Sequence, residues 1–426
     1  VSLPQPGSGD VTDATISTRV RTAPSEYLPT ERVEASARRP AARARIIAAL
    51  VLSLVIALVF ELTCRVEDWI MYRMPLASPF RSVEDLIVRD ADGMHGRPNA
   101  QFEKWIMNGV GTRGPEASLV PASGTVRVIT VGASETFGLR ESPGREFPRQ
   151  LEDSLNARLR RCSAPSRVRF EVLNAAFAGM TLPTIEQDVR NRLARLHPAL
   201  VVAYPSPVAY LESQRPVAAR PDSSPVAGQL GALAMLYPRA HDRLRDQLKE
   251  MLPSVVKSWL RQREIESARA RDTGRVFTTV PRDRIAAYDL DLRRLVGTIG
   301  RIGATPVLVT HANAFVGRRT INSDNLIAWG KFLPLATGST LLAFDSLARL
   351  ATLKIGADSQ AVAVDAARRL SAAPASAFAD YEHFADLGAA WMASVVADGV
   401  LAARPISQLC PGSAGQPDAP RATAVP

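Results

Sequence analysis

Short apolar runs recur along the middle of the chain, each followed by a stretch with helical spacing, and this alternation limits the fold more than any other feature. The runs are Val126 to Val131, the alternating Val168, Phe170 and Val172, then Leu200 to Tyr204, Val307 to Thr310, and Ala361 to Val364. Between them Leu151, Leu155 and Leu159 recur every four residues, as one helix face requires. Ile185, Val189, Leu193 and Leu196 form a second stripe, with Thr184 and Gln187 read as a capping box. Ile285, Tyr288, Leu292, Leu295 and Ile299 form a third. Strands alternating with helices build a parallel sheet covered on both faces. The expected fold is α/β, a flavodoxin-like three-layer arrangement with a central parallel sheet of about five strands. Such sheets place ligands beyond the carboxyl ends of their strands.

The first run ends in Gly132-Ala133-Ser134-Glu135-Thr136-Phe137-Gly138. A strand that stops in a small residue, a serine and a glycine delivers a hydroxyl to the sheet edge. Far downstream lies Asp380-Tyr381-Glu382-His383. A carboxylate three residues before a histidine can supply both other members of a catalytic triad. Each motif alone has a plainer reading. A Gly-x-Ser is usually a turn, and Asp380 with His383 could cap the final helix. His311 also ends a strand at this edge, where a structural role is expected over one in lining a pocket.

In this order the motifs resemble those of the SGNH/GDSL-type hydrolases. The first block of that family corresponds to Gly132-Ala133-Ser134 with Gly138, and the last to Asp380 and His383. Asn174-Ala175-Ala176-Phe177-Ala178-Gly179-Met180-Thr181 is similar to the second block. The third block normally holds an asparagine after a strand. Here Leu200 to Tyr204 leads into Pro205-Ser206-Pro207-Val208-Ala209-Tyr210, without one. Met107 to Glu116 is similar to the lead-in of membrane-anchored bacterial members. The resemblance implies an esterase in which Ser134 attacks an acyl carbonyl, His383 carries the proton and Asp380 orients the imidazole. It implies oxyanion donors at the Ser134 and Gly179 backbone, with Ser206 the nearest hydroxyl to replace the missing asparagine. Loss of one such donor costs on the order of 100–1000-fold in rate. The implied substrate is an acyl ester, in anchored members an acylated cell-envelope or exported polysaccharide. A carbohydrate O-acyltransferase and a non-catalytic glycan-binding or assembly protein are the alternatives. No cofactor is implied.

Ile46 to Phe60 is apolar apart from Ser53, and Leu62 to Cys64 extend the run past Glu61. Its length is close to the roughly 20 residues that cross a bilayer. Arg38, Arg39, Arg43 and Arg45 precede it. The positive-inside rule then leaves the N-terminus cytoplasmic and the later chain outside, with the segment touching membrane lipid. A cleaved signal peptide fits less well behind so long a tail, and Glu61 spoils a lipoprotein site at Cys64. The organisation expected is a disordered cytoplasmic tail at 1–45, an anchor at 46–64, a juxtamembrane lead-in at 65–120, a hydrolase-like domain at 121–405, and a disordered tail at 406–426. A helical insertion falls near 215–282. There Leu244, Leu248, Met251, Val255, Trp259 and Leu260 share a face bent at Pro253, beside Arg243, Arg245, Lys249, Lys257, Arg261 and Arg263. Such a helix packs on the domain with a solvated face, or lies on anionic lipid or over the active site. The net charge of +10 is mostly scattered arginine, which argues for genome composition over a nucleic-acid partner. Neither the three cysteines nor the five histidines have metal-ligand spacing, so no metal is expected. Outside the cytoplasm Cys162 and Cys410 could pair; free thiols fit equally.

Overall fold

The computed structural model describes residues 34–161, 168–212, 238–271, 276–318, 323–359, 361–403 and 406–408. Cys162, Cys410 and both tails beyond these limits lie outside the described residues, while Cys64 is a buried free thiol. The chain divides into two units, Val1–Phe60 and Glu61–Pro426. Helix α1 (Glu34–Tyr72) runs from the first into the second and is longer than the expected anchor. Its portion Ala42–Tyr72 is long and apolar enough to cross a membrane. Ile46, Leu50, Leu54 and Leu58 are all exposed there. From Glu61 onward the helix is polar on one side. Asp68 pairs with Arg239 at 3.1 Å and Arg243 at 2.7 Å, and Glu61 accepts the Ala240 N–H at 2.8 Å.

The lead-in forms two antiparallel hairpins, Ile87–Asp90 with Gly93–Gly96 and Gln101–Phe102 with Trp105–Ile106. The central sheet follows. Its strands are β1 (Thr125–Gly132), β2 (Arg169–Asn174), β3 (Leu200–Tyr204), β4 (Thr305–Val309) and β5 (Val362–Val364). All are parallel, in the order β2-β1-β3-β4-β5. This is the doubly wound order 2-1-3-4-5, whose direction of winding reverses between β1 and β3. The helices are α2 (Ser134–Phe137), α3 (Phe147–Arg160), α4 (Leu182–Asn191), α5 (Arg239–Met251), α6 (Ser254–Arg271), α7 (Arg282–Arg301), α8 (Ser323–Phe332), α9 (Gly338–Asp358), α10 (Ala366–Leu370) and α11 (Asp386–Ala402).

Alternate strand residues point to opposite faces, so the sheet carries two apolar layers. Ile129, Val131, Val201, Ala203 and Leu308 join Ile185 and Val189 of α4, Leu292 and Leu295 of α7, and Phe344 of α9. Val128, Leu200, Val202, Val307 and Val309 join Leu151, Leu155 and Leu159 of α3 and Met392, Val396 and Val400 of α11. The α4 boundary differs from the sequence expectation. The capping box is formed by Thr181 and Thr184 instead of Thr184 and Gln187. Pro183 is the cause, because proline is tolerated in a first turn and so draws the helix start ahead of itself. In the insertion the helix breaks at Pro253 as expected. Its packing departs from the simplest expectation. Ile265 is buried and Arg261 and Arg269 bond the carbonyls of Lys331 and Pro334 at 2.6 and 3.1 Å, yet Leu244, Leu248, Met251, Val255 and Trp259 are exposed.

Candidate active site

The strand β1 closes on Gly132 because nothing larger fits. A Cβ there would collide with the Tyr204 carbonyl oxygen and the Thr136 hydroxyl. The chain then turns at once into α2, a single turn that starts on Ser134 and stops at Gly138 in the left-handed region, φ 87°. Two side chains hold this turn from outside. The Asn174 amide, at the end of β2, donates to the Thr136 carbonyl at 3.0 Å. Arg113, from the lead-in, donates to the carbonyls of Phe137 and Gly138 and pairs with Glu146 at 3.1 Å. A buried cation at the carboxyl end of a helical turn also matches its dipole. Ser134 is thereby fixed, half-buried, at the carboxyl edge of β1, beside the point where the sheet reverses.

The Asp380–His383 loop approaches from the other side, just before α11. One Asp380 oxygen, Oδ1, accepts the backbone N–H groups of Glu382 (3.1 Å) and His383 (2.9 Å). The other, Oδ2, lies 2.9 Å from His383 Nδ1, and His383 Nε2 lies 2.9 Å from Ser134 Oγ. The three-residue spacing thus does two things: it lets one carboxylate shape the loop and hold the ring. The helix-cap reading of this motif does not apply, since α11 begins at Asp386 with Ala385 as its N-cap. Burial pushes the Asp380 carboxyl up, but its bonds from the His383 ring and from two backbone N–H groups outweigh it and hold it at about 2. Burial also disfavours charge on His383. The Asp380 bond, with the negative field of Glu135, more than offsets this and raises the imidazole above its ordinary value.

Gly179 sits in the turn between β2 and α4 with φ 79°, a left-handed conformation that favours glycine. A Cβ there would meet nothing within 4 Å, so the backbone faces open space. Ser206 is half-buried before the single helical turn Pro207–Leu211, and its side chain does not cap that turn. Among the described residues no side-chain hydrogen bond joins Ser206 to Ser134, His383 or Asp380.

A second network, absent from the sequence reading apart from His311, lies directly beneath. Glu135 is buried, and Ser134 Oγ lies 3.2 Å from its Oε2. Its Oε1 lies 3.2 Å from His311 Nε2, and His311 Nδ1 is 2.6 Å from Asp345 Oδ1 on α9. Asn313 donates to Asp345 Oδ2 at 2.8 Å, and Tyr204 stacks on the His311 ring with centroids 5.6 Å apart. His311 is therefore a buried structural group, as expected, but one coupled to the serine through Glu135. Burial disfavours its charge, yet Asp345 and Glu135 on its two nitrogens raise it well above the ordinary histidine value. Glu135 is pushed up by burial and pulled down further by His311, so it stays ionised. Glu382 is the contrast. Burial and the neighbouring Glu135 charge raise it to about 8, and its Oε2 has no hydrogen-bond partner among the described residues. Glu135, His311 and Glu382 offer ligand atoms within 4.8 Å of one another, a set able to hold a divalent cation. Both His311 nitrogens already face carboxylates, which closes most of that set on a proton instead. A signal for Glu135 was available in its adjacency to Ser134. Asp345 had none, since only the fold brings α9 under β4.

No family model matches the chain, and neither does any curated protein. It is similar to solved structures at low identity. One is the crystal structure of TesA, at 12% identity over 66% of this chain and 99% of that one, TM-score 0.36. A second is the lipase/acylhydrolase from Enterococcus faecalis, at 12% identity over 64% and 94%, TM-score 0.37. A third is a variant of Axe2, an acetyl xylan esterase from Geobacillus stearothermophilus, at 12% identity over 66% and 97%, TM-score 0.37.

Proposed function

We propose that the chain is an SGNH-type serine esterase that cleaves acyl esters through Ser134, His383 and Asp380. The observation that carries this reading is the unbroken run of hydrogen bonds from Asp380 through His383 to Ser134 Oγ, at 2.9 Å for each link. With Nδ1 donating to Asp380, Nε2 is the acceptor and the serine hydroxyl the donor. As Oγ bonds to the acyl carbon, its proton passes to Nε2 and the carbonyl π pair moves to oxygen. Asp380, held ionised, stabilises the imidazolium. Collapse expels the alkoxide, which takes the proton from Nε2. Water repeats the cycle and releases the acid. The backbone N–H groups of Ser134 and Gly179 are the proposed oxyanion donors, and the Ser206 hydroxyl is the proposed third. Proline at 205 and 207 removes two backbone donors from the third loop, so turnover is expected to be slow.

The proposed substrate is an ester-linked acyl group on an envelope or exported polysaccharide, reached outside the cytoplasm from an anchor at 46–64. The candidate span Ala42–Tyr72 and the arginines that precede it support this placement. The test is hydrolysis of p-nitrophenyl acetate by the full chain in detergent, with Ser134→Ala alongside. Activity above background that the substitution abolishes is the expected result. A wild-type rate equal to that of Ser134→Ala, across acyl lengths and acceptor sugars, would replace hydrolysis with glycan binding by a non-catalytic member.

A further inference from the structure

Ser134 Oγ carries one proton and faces two acceptors. His383 Nε2 is 2.9 Å away and Glu135 Oε2 is 3.2 Å away. A triad needs only the first. The second is a fully buried carboxylate, which is costly unless it is paired. Its partner is supplied from elsewhere in the fold: His311, at the end of β4, contacts Glu135 through Nε2 and Asp345 through Nδ1. Asp345 is held in turn by Asn313. Such an arrangement fixes the Glu135 carboxylate in place and in charge.

We propose that Glu135, clamped by His311 and Asp345, is a second catalytic carboxylate of this site, acting on the Ser134 hydroxyl and on the imidazolium of His383. The proposal rests on the esterase reading and deepens it. Glu135 touches the nucleophile itself; His311 and Asp345 are positioning residues that act through it. When His383 is protonated, Nε2–H donates to Oγ and the serine proton turns to Glu135. When His383 is neutral, the serine proton turns to Nε2. During acylation the positive charge that develops on His383 lies between Asp380 and the field of Glu135, and both stabilise it. No atom is gained or lost in this arm, since only the serine proton changes its acceptor.

The charged groups around Glu135 are few. His311 approaches from the β4 end, and Glu382 and His383 from the loop before α11. Glu382 is neutral below about 8 and adds no opposing charge at neutral pH. Behind Asp345, Arg349 on the same helix is engaged by Asp365 at 2.6 Å, so the cation shared by Glu135 and Asp345 is His311, and the three groups keep one net negative charge. Tyr204 stacks on the His311 ring and donates to the Ala312 carbonyl at 3.2 Å.

Two measurements on the full chain in detergent test this: the pH profile of kcat/KM and the NMR titration of the His383 ring, identified by its loss in His383→Gln. Wild type is compared with Glu135→Gln, Asp345→Asn, the double variant and Glu135→Asp. In Glu135→Gln the His383 titration and the acidic limb should both move to lower pH by about one unit, because a neighbouring negative charge is gone. The plateau should fall about 10-fold. Asp345→Asn should move both in the same direction, the double variant should add little, and Glu135→Asp should restore part of the limb. An unchanged His383 titration in Glu135→Gln overturns the proposal. So does a loss of rate with no movement of the limb, which marks a purely structural residue. Absence of hydrolysis in wild type instead removes the esterase reading, and the NMR arm distinguishes the two failures.

Discussion

At the scale of single residues, the site is governed by which carboxyls keep their protons. Asp380 and Glu135 are both held ionised by neighbouring histidines, whereas Glu382, buried near both charges and without a partner for Oε2 among the described residues, is pushed up to about 8. This has a consequence for stability. Between the free value of 4.5 and about 8, the native state keeps a proton on Glu382 that the unfolded chain has released. The native state binds more protons in that window, so stability falls as pH rises through it. Glu382→Gln keeps the shape and removes the titration. Its melting temperature should fall less between pH 5 and 8 than that of wild type, and at pH 8 the variant should be the more stable. Parallel melting curves across that range would show that Glu382 ionises normally. Glu382 is also a residue whose role could not be read from the sequence. It occupies an x position of Asp-x-x-His, and only burial against Glu135 gives it character.

At the scale of elements, the turn from β1 to α2 depends on space as much as on chemistry. Gly132 lies where β1, β3 and the first turn of α2 meet, and its neighbours are the Tyr204 carbonyl and the Thr136 side chain. Neither the strand backbone nor the buried threonine can move far. Gly132→Ala should therefore destabilise the fold by about 1–3 kcal/mol, the range for an overfilled core. It should also cost esterase activity out of proportion, because the strain falls on the residue two before Ser134. Urea unfolding paired with ester hydrolysis checks both. An unchanged midpoint would mean that β1 and β3 can separate. The strands and helix stripes were legible because buried parallel strands are continuous apolar runs and a helix repeats every 3.6 residues. The stripe Leu151, Leu155 and Leu159 is buried as its spacing requires. Less legible was whatever depends on contact between distant segments. The Arg113 side chain bracing α2 and the two lead-in hairpins are fixed by tertiary pairing, and hairpin strands of two to four residues give too short a pattern to read. The insertion was legible only in part for a related reason: periodicity defines an apolar face but not what covers it.

At the scale of the whole molecule, the proposed placement of the Ser134 edge outside the cytoplasm rests more on sequence than on packing. Ala42–Tyr72 meets the length and composition needed to cross a bilayer. A buried core helix would meet the same test, but the apolar side chains from Ile46 to Val59 are exposed. The flanking charges support the proposed direction. Arg38, Arg39, Arg43 and Arg45 precede the run without an intervening acid, whereas Glu61, Glu67 and Asp68 follow it alongside Arg65 and Arg73. In the proposed topology the arginine-rich flank stays in the cytoplasm, as the positive-inside rule favours, and the chain after the helix lies outside. The acidic flank does not oppose that choice, because Asp68 is already engaged by Arg239 and Arg243. Alkaline phosphatase fused near residue 120 should then be active in intact cells, since that enzyme matures only outside the cytoplasm. Replacing the four arginines with glutamate should lower the active fraction, because the flank would lose its preference for the cytoplasmic side. A fusion that is inactive while a cytoplasmic reporter at the same position works would reverse the topology. It would also exclude exported polysaccharide as the substrate and leave the Ser134, His383 and Asp380 geometry to act on an intracellular ester.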